Sequence, residues 1–179
     1  MSHHTVILSR ETHLKEKLEN IDIIIGTEVI VEKRCVLGYG GIYESGVIIE
    51  TESYVDKLVS LGERTKILTQ TVIRESTVIG GNVVIMNNVL IGERVHINDD
   101  CVIGEGCIIG HYVVLENGVR LAPMLMVPNY AVLMAASYLD QEAINDAVEN
   151  YNKKYKLDLQ EFEAPDPCVP VDLANLARI

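Results

Sequence analysis

The sequence predicts an all-β chain wound as a parallel β-helix of hexapeptide repeats and followed by a C-terminal α-helix. Two columns of residues and one change of period carry that prediction. Ten consecutive sixth positions, Ile67, Ile73, Ile79, Ile85, Ile91, Ile97, Ile103, Ile109, Leu115 and Leu121, are large aliphatics. Two residues before each stand Thr65, Thr71, Thr77, Val83, Val89, Val95, Cys101, Cys107, Val113 and Val119, all small or β-branched. A period of six fits neither a helix, which repeats near 3.6, nor a hairpin strand, whose alternation needs no longer unit. It fits a coil in which each hexad is a short strand plus a corner and three hexads close a triangle. After Ala135-Ala136-Ser137 the hexad stops and a helical spacing replaces it.

Taken in order, residues 1–24 form an N-terminal segment ahead of the frame. The β-helix spans 25–136, because the aliphatic column extends back through Leu61, Val55, Ile49, Tyr43, Leu37, Val31 and Ile25, and forward to Val127 and Leu133. That makes six coils without an insertion. The upstream compact column (Val29, Cys35, Gly41, Val47, Ser53, Val59) is less regular. Residues 137–157 are the C-terminal helix: Ile144, Val148, Tyr151 and Tyr155 share one face, Asp140 is placed as the N-cap, and Lys153, Lys154 and Lys156 sit at the negative end of the helix dipole. Its apolar face packs back along the side of the coil, or its tyrosines meet a partner subunit. Residues 158–179 are a tail with Pro165, Pro167 and Pro170, whose density favours an extended run. It is loosely ordered, or docks through Val169, Val171, Leu173, Leu176 and Ile179.

Composition narrows the classes of function. A formal charge of −11 opposes a nucleic-acid or anionic-membrane surface, which needs clustered Lys and Arg. No apolar stretch is long enough to span a bilayer, and the first residues lack both a signal-peptide core and an arginine-rich presequence, so a cytoplasmic address is expected. Cys35, Cys101 and Cys107 fall in the compact inward column and read as reduced packing residues rather than a disulfide or zinc site.

Candidate chemistry is sparse. Of the five histidines, only His96 and His111 lie in the repeat, one just before the buried Ile97 and the other two residues after Ile109. Both belong outside or at corners, and their separation is not a whole coil. A solvated corner residue is the simpler reading of each, with a general base in a cleft between subunits the functional one. Gly38-Tyr39-Gly40-Gly41 lacks the helix and the Lys-Ser/Thr of a phosphate loop. Gly80, Gly92, Gly104 and Gly110 each follow a buried aliphatic and read as close-packing corners, and Asp99-Asp100 reads as solvated charge. No catalytic, cofactor-binding or metal-ligating residue, and no cofactor, is assigned.

The frame resembles the left-handed hexapeptide superfamily, and the left hand is part of what that resemblance implies. Members similar to γ-class carbonic anhydrases hold zinc with three histidines, two of them five residues apart, and this chain has no such pair. Acetyltransferase members commonly close the coil with Gly-x-Pro-Ala, where this chain has Tyr130-Ala131-Val132-Leu133. Ile91-Gly92-Glu93-Arg94-Val95-His96, then Cys101-Val102-Ile103-Gly104-Glu105-Gly106-Cys107, Leu115-Glu116-Asn117-Gly118-Val119-Arg120-Leu121-Ala122-Pro123 and Val127-Pro128 are similar in order and spacing to the last coils of the dynactin subunit 5 family, the hexapeptide subunits of the dynactin pointed end. That resemblance implies a non-catalytic scaffold of the cytoplasmic, cytoskeletal dynein activator, supporting cargo-adaptor binding. Its partners would be a second hexapeptide subunit (dynactin subunit 6) and an actin-related protein. The alternative is a homotrimeric hexapeptide acyltransferase or γ-carbonic-anhydrase-like enzyme.

Overall fold

The computed structural model describes residues 6–8, 13–14, 23–134 and 139–155, with side chains from residue 23 onward except Val148 and 151–155. Three seven-stranded parallel sheets take strands in strict rotation, which is the left-handed hexapeptide β-helix expected. We name the sheets faces A, B and C. Face A holds Val6–Leu8, Val29–Val31, Ile48–Ile49, Lys66–Ile67, Val84–Ile85, Val102–Ile103 and Arg120–Leu121. Face B runs from His13–Leu14 through Val36–Leu37, Tyr54–Val55, Val72–Ile73, Leu90–Ile91 and Ile108–Ile109 to Met126–Val127. Face C runs from Ile24–Ile25 through Ile42–Tyr43, Ser60–Leu61, Val78–Ile79, His96–Ile97 and Val114–Leu115 to Val132–Leu133.

Both predicted columns line the interior. Every aliphatic from Leu37 to Leu133 is buried, and so is every compact partner from Val29 to Ala131 that carries a side chain. Each coil sits on the last through parallel pairing, as where Lys66 N–H donates to the Val83 carbonyl at 2.9 Å and Leu68 N–H to Ile85 at 2.9 Å. Where the compact residue carries a donor, that donor is satisfied by one rule. Ser53, Thr65, Thr71 and Thr77 hydroxyls donate to the carbonyls of Leu68, Gly80, Met86 and Gly92, fifteen residues on, at 2.7–3.0 Å. Cys35, Cys101 and Cys107 thiols do the same toward Glu50, Glu116 and Ala122, at 3.0, 3.2 and 3.0 Å. Burying a hydroxyl or thiol here therefore leaves no donor unpaired. Burial pushes all three thiols above their ordinary range, with the backbone hydrogen bonds pulling the other way.

The corners are where the chain departs from ordinary backbone. Every sixth residue from Glu28 to Tyr130 has positive φ, and only Gly40, Gly46, Gly106 and Gly118 among them are glycines. The others are Glu, Arg, Leu, Gln, Ser, Asn, Asp, Tyr and Met, with no β-branched residue, the type the left-handed region tolerates least. The glycines after the aliphatics serve instead for close approach. A Cβ on Gly92 would stand 2.7 Å from the Gly110 carbonyl carbon, and one on Gly104 2.6 Å from that of Ala122.

The irregular first coils have a compensation of their own. Tyr43 takes a large-aliphatic position and is fully buried, and its compact partner is Gly41, where a Cβ would lie 2.6 Å from Tyr43 Oη. The two residues share the space that a Val and an Ile fill elsewhere. Asp99 also differs from the expectation of a merely solvated charge, since its Oδ1 accepts the Gly81 N–H at 2.7 Å across the corner.

Two strands extend faces A and B ahead of the frame. Val6 pairs with Val29 and His13 with Val36, twenty-three residues apart, against eighteen in later pairs such as Lys66 with Val84. At the other end α1 (Gln141–Tyr155) closes the last coil rather than running back along a face. Ile144 is fully buried in the core cluster with Leu139, and Ala143 and Ala147 pack against it. Asp140 is the N-cap, its Oδ1 accepting Ala143 N–H at 2.9 Å. Leu139 exchanges backbone hydrogen bonds with the face A edge, donating to Arg120 and accepting from Ala122. The Gln141 amide does so for face B, accepting Met126 N–H and donating to the Met126 carbonyl, both at 3.0 Å. Two sheet edges are thus covered by the approach to one helix. The side chains of Val148, Tyr151 and Tyr155, and the whole tail, lie outside the described residues.

Candidate functional site

At several corners the residue two past the aliphatic obeys a second rule. Its N–H donates to the side chain of its counterpart one coil later: Thr27 to Ser45, Thr69 to Asn87, Gly81 to Asp99 and Asp99 to Asn117. At the corner between faces B and C the same column reads Tyr39, Lys57, Glu75, Glu93, His111 and Asn129. There Glu93 N–H donates to His111 Nδ1 at 3.0 Å, and His111 N–H donates to Asn129 Oδ1 at 2.8 Å. His111 is half-buried and held from both neighbouring coils. Lower in the column Lys57 Nζ pairs with Glu75 Oε2 at 2.6 Å, and that carboxylate raises the lysine pKa.

The next column of this corner, at positive φ, carries Arg94, Tyr112 and Tyr130. Arg94 donates to Tyr112 Oη at 2.9 Å and lies 5.6 Å from that ring's centroid. The Tyr112 and Tyr130 rings stack at 5.1 Å with 8° between planes. Tyr130 is 57% exposed, so this corner offers an aromatic surface beside an anchored imidazole.

His96 is placed differently. It is the outward residue of its face C strand, between Val78 and Val114 in the neighbouring coils, and is exposed. His111 lies three residues before Val114, so the two repeat histidines border the same face in successive coils without sharing a column. That face and its corner also hold six of the exposed large apolar side chains: Ile24, Ile42, Val78, Leu58, Tyr112 and Tyr130. Among the described residues, no group of three or more His, Cys, Asp and Glu side chains is arranged to hold a metal ion. Nor is any helix long and apolar enough to cross a membrane.

The frame alone located both histidines. It missed the Arg94, Tyr112 and Tyr130 column and the Glu93, His111 and Asn129 column. Their signal is a spacing of eighteen, seen when the sequence is written in coils rather than hexads.

A family model described as bacterial transferase hexapeptide (six repeats) matches residues 82–117, the stretch that holds both repeat histidines. No curated protein matches the chain. Among solved structures, a putative acetyltransferase from Bacillus cereus is similar with a TM-score of 0.50 and 14% identity, covering 84% of this chain and 92% of that one. A hexapeptide transferase family protein from Anaplasma phagocytophilum has a TM-score of 0.44 and 19% identity, covering 86% and 91%. A UDP-N-acetylglucosamine O-acyltransferase from Moraxella catarrhalis has a TM-score of 0.34 and 20% identity, covering 90% and 87%. At these identities the likeness to the Bacillus protein shows the fold.

The comparisons support the hexapeptide repeat and not the finer resemblance to dynactin pointed-end subunits. They also correct the expectation of a non-enzyme. The repeat model that matches residues 82–117 is described as that of bacterial transferases. The expectation of a scaffold rested on the resemblance over residues 91–128, whereas the outward and corner positions of His96 and His111 leave both imidazoles able to reach a ligand. By fold the chain is a hexapeptide-repeat β-helix, and residues 82–117 are similar to the repeat described for bacterial hexapeptide transferases.

Proposed function

We propose that the chain is a hexapeptide acyltransferase, moving an acyl group from a thioester such as acetyl-CoA to a hydroxyl or amine. The observation that carries the reading is that the transferase repeat at 82–117 coincides with the two histidines bordering face C. In this reading His96 is the general base, its imidazole standing exposed to solvent on a rigid strand. It takes the proton of the acceptor O–H or N–H as that atom attacks the thioester carbonyl. The new C–O or C–N bond forms, the C–S bond breaks, and the imidazolium returns the proton to the leaving thiolate. The apolar side chains exposed on face C and at its corner support a homotrimer, in which copies of the chain cover that side.

The test is release of free thiol from acetyl-CoA in the presence of a panel of amino sugars and amino acids. Wild type is expected to turn over at least one acceptor, and His96→Gln to lose about 10²-fold or more in kcat, the scale of a general base. Because His96 is exposed, the variant should unfold within about 0.5 kcal/mol of wild type. A wild-type preparation of three-chain particles, each chain 19.9 kDa, that releases no thiol above background with any acceptor would overturn the proposal.

A further inference from the structure

The contact from Glu93 N–H sets which ring nitrogen of His111 carries the proton. At the corresponding corners Ser45, Asn87, Asp99, Asn117 and Asn129 all present an oxygen to a backbone N–H of the preceding coil. His111 fills that role with Nδ1, which accepts the Glu93 N–H at 3.0 Å. An imidazole that accepts at Nδ1 carries its proton on Nε2 when neutral. His111 is therefore held as a donor and not as a base. Its own N–H is tied to Asn129 and its ring to Glu93, so the Nε2–H is held by both neighbouring coils.

We infer that His111 supplies a fixed Nε2–H hydrogen bond to the carbonyl oxygen of the acyl thioester, leaving proton abstraction to His96. This assignment rests on the acyltransferase reading and adds a division of labour to it. A donor held in place before the reaction stabilises the negative charge that develops on the carbonyl oxygen in the tetrahedral intermediate. No proton needs to leave His111 during the step.

Asparagine separates this role from a structural one. His111→Asn retains an acceptor for Glu93 N–H, as Asn87, Asn117 and Asn129 provide at other corners, but deletes the Nε2–H. With acetyl-CoA and an acceptor that wild type uses, kcat is expected to fall about 10²- to 10³-fold with KM for acetyl-CoA little changed and the melting temperature kept. Unchanged kcat in a folded His111→Asn variant would overturn the inference and leave His111 a corner residue. Independently, long-range ¹H–¹⁵N correlation on histidine-labelled full-length protein near pH 8 should show Nε2 protonated and Nδ1 bare. A protonated Nδ1 would overturn the inference even if the enzyme is active. Absence of thiol release from wild type would instead overturn the acyltransferase reading and the ligand assigned here, whatever the tautomer.

Discussion

The pairing of Gly41 with Tyr43 makes the interior's division into large and compact positions measurable. Tyr43 is fully buried, and its Oη has no hydrogen-bond partner among the described residues. Burial alone pushes its phenol above the ordinary range. An unsatisfied buried donor costs about 1–3 kcal/mol, so Tyr43→Phe should stabilise by about 1 kcal/mol once the small void left by the oxygen is discounted. That raises the melting temperature by about 2–4 °C in a chain of this size. Tyr43→Ile leaves a ring-sized space and should cost about 2–4 kcal/mol. Gly41→Val puts a Cβ where 2.6 Å separates it from Oη and 2.8 Å from Cζ, so overpacking costs about 1–3 kcal/mol. The double variant recreates the Val and Ile pair found at Val83/Ile85, Val89/Ile91 and Val95/Ile97, and should lie near wild type. Urea unfolding of the four proteins then gives a coupling of about 2 kcal/mol or more. Additive single effects, or a destabilised Tyr43→Phe, would refute the claim that the two columns fill one shared space.

Three further outcomes follow from the corners, the end cap and the thiols. Asn88→Val places a β-branched residue at φ 59° and should cost about 1–3 kcal/mol by thermal unfolding, whereas Asn88→Gly should be near neutral. Gln141→Ala uncovers the Met126 N–H and carbonyl, and hydrogen exchange should quicken at Met126 with little change at Val84 in mid-coil. Cys35, Cys101 and Cys107 keep their protons when folded beyond the pH at which unfolded thiols ionise. Above about pH 8.5 the unfolded state therefore binds fewer protons than the native one, and stability should fall as pH rises. Replacing the three by valine should flatten that alkaline slope in urea titrations.

The interior was legible because it repeats. Ile67 to Leu121 and Thr65 to Val119 state the period, and the same spacing placed the cysteines in the core and the histidines outside it. The strands before residue 23 were hidden, because the pairing of Val6 with Val29 and His13 with Val36 carries five residues more than one coil. A frame counted backward in sixes passes over that excess. The position of α1 was not legible either. An amphipathic face says that something is covered, and only the backbone hydrogen bonds of Leu139 and the Gln141 amide show that it is the end of the coil. At the corner between faces B and C, the residues that act together are one coil apart and differ in type. Glu93, His111 and Asn129 have no shared chemistry until the N–H of one meets the side chain of the next.

The central claim, that the transferase repeat and the histidines beside it form a working acyl-transfer site, is tested most directly by calorimetric titration of acetyl-CoA into the full-length protein. The account predicts saturable binding of one molecule per chain, retained in His96→Gln because the base acts on the acceptor and not on the thioester. No heat of binding at millimolar acetyl-CoA, with the protein folded, would contradict it.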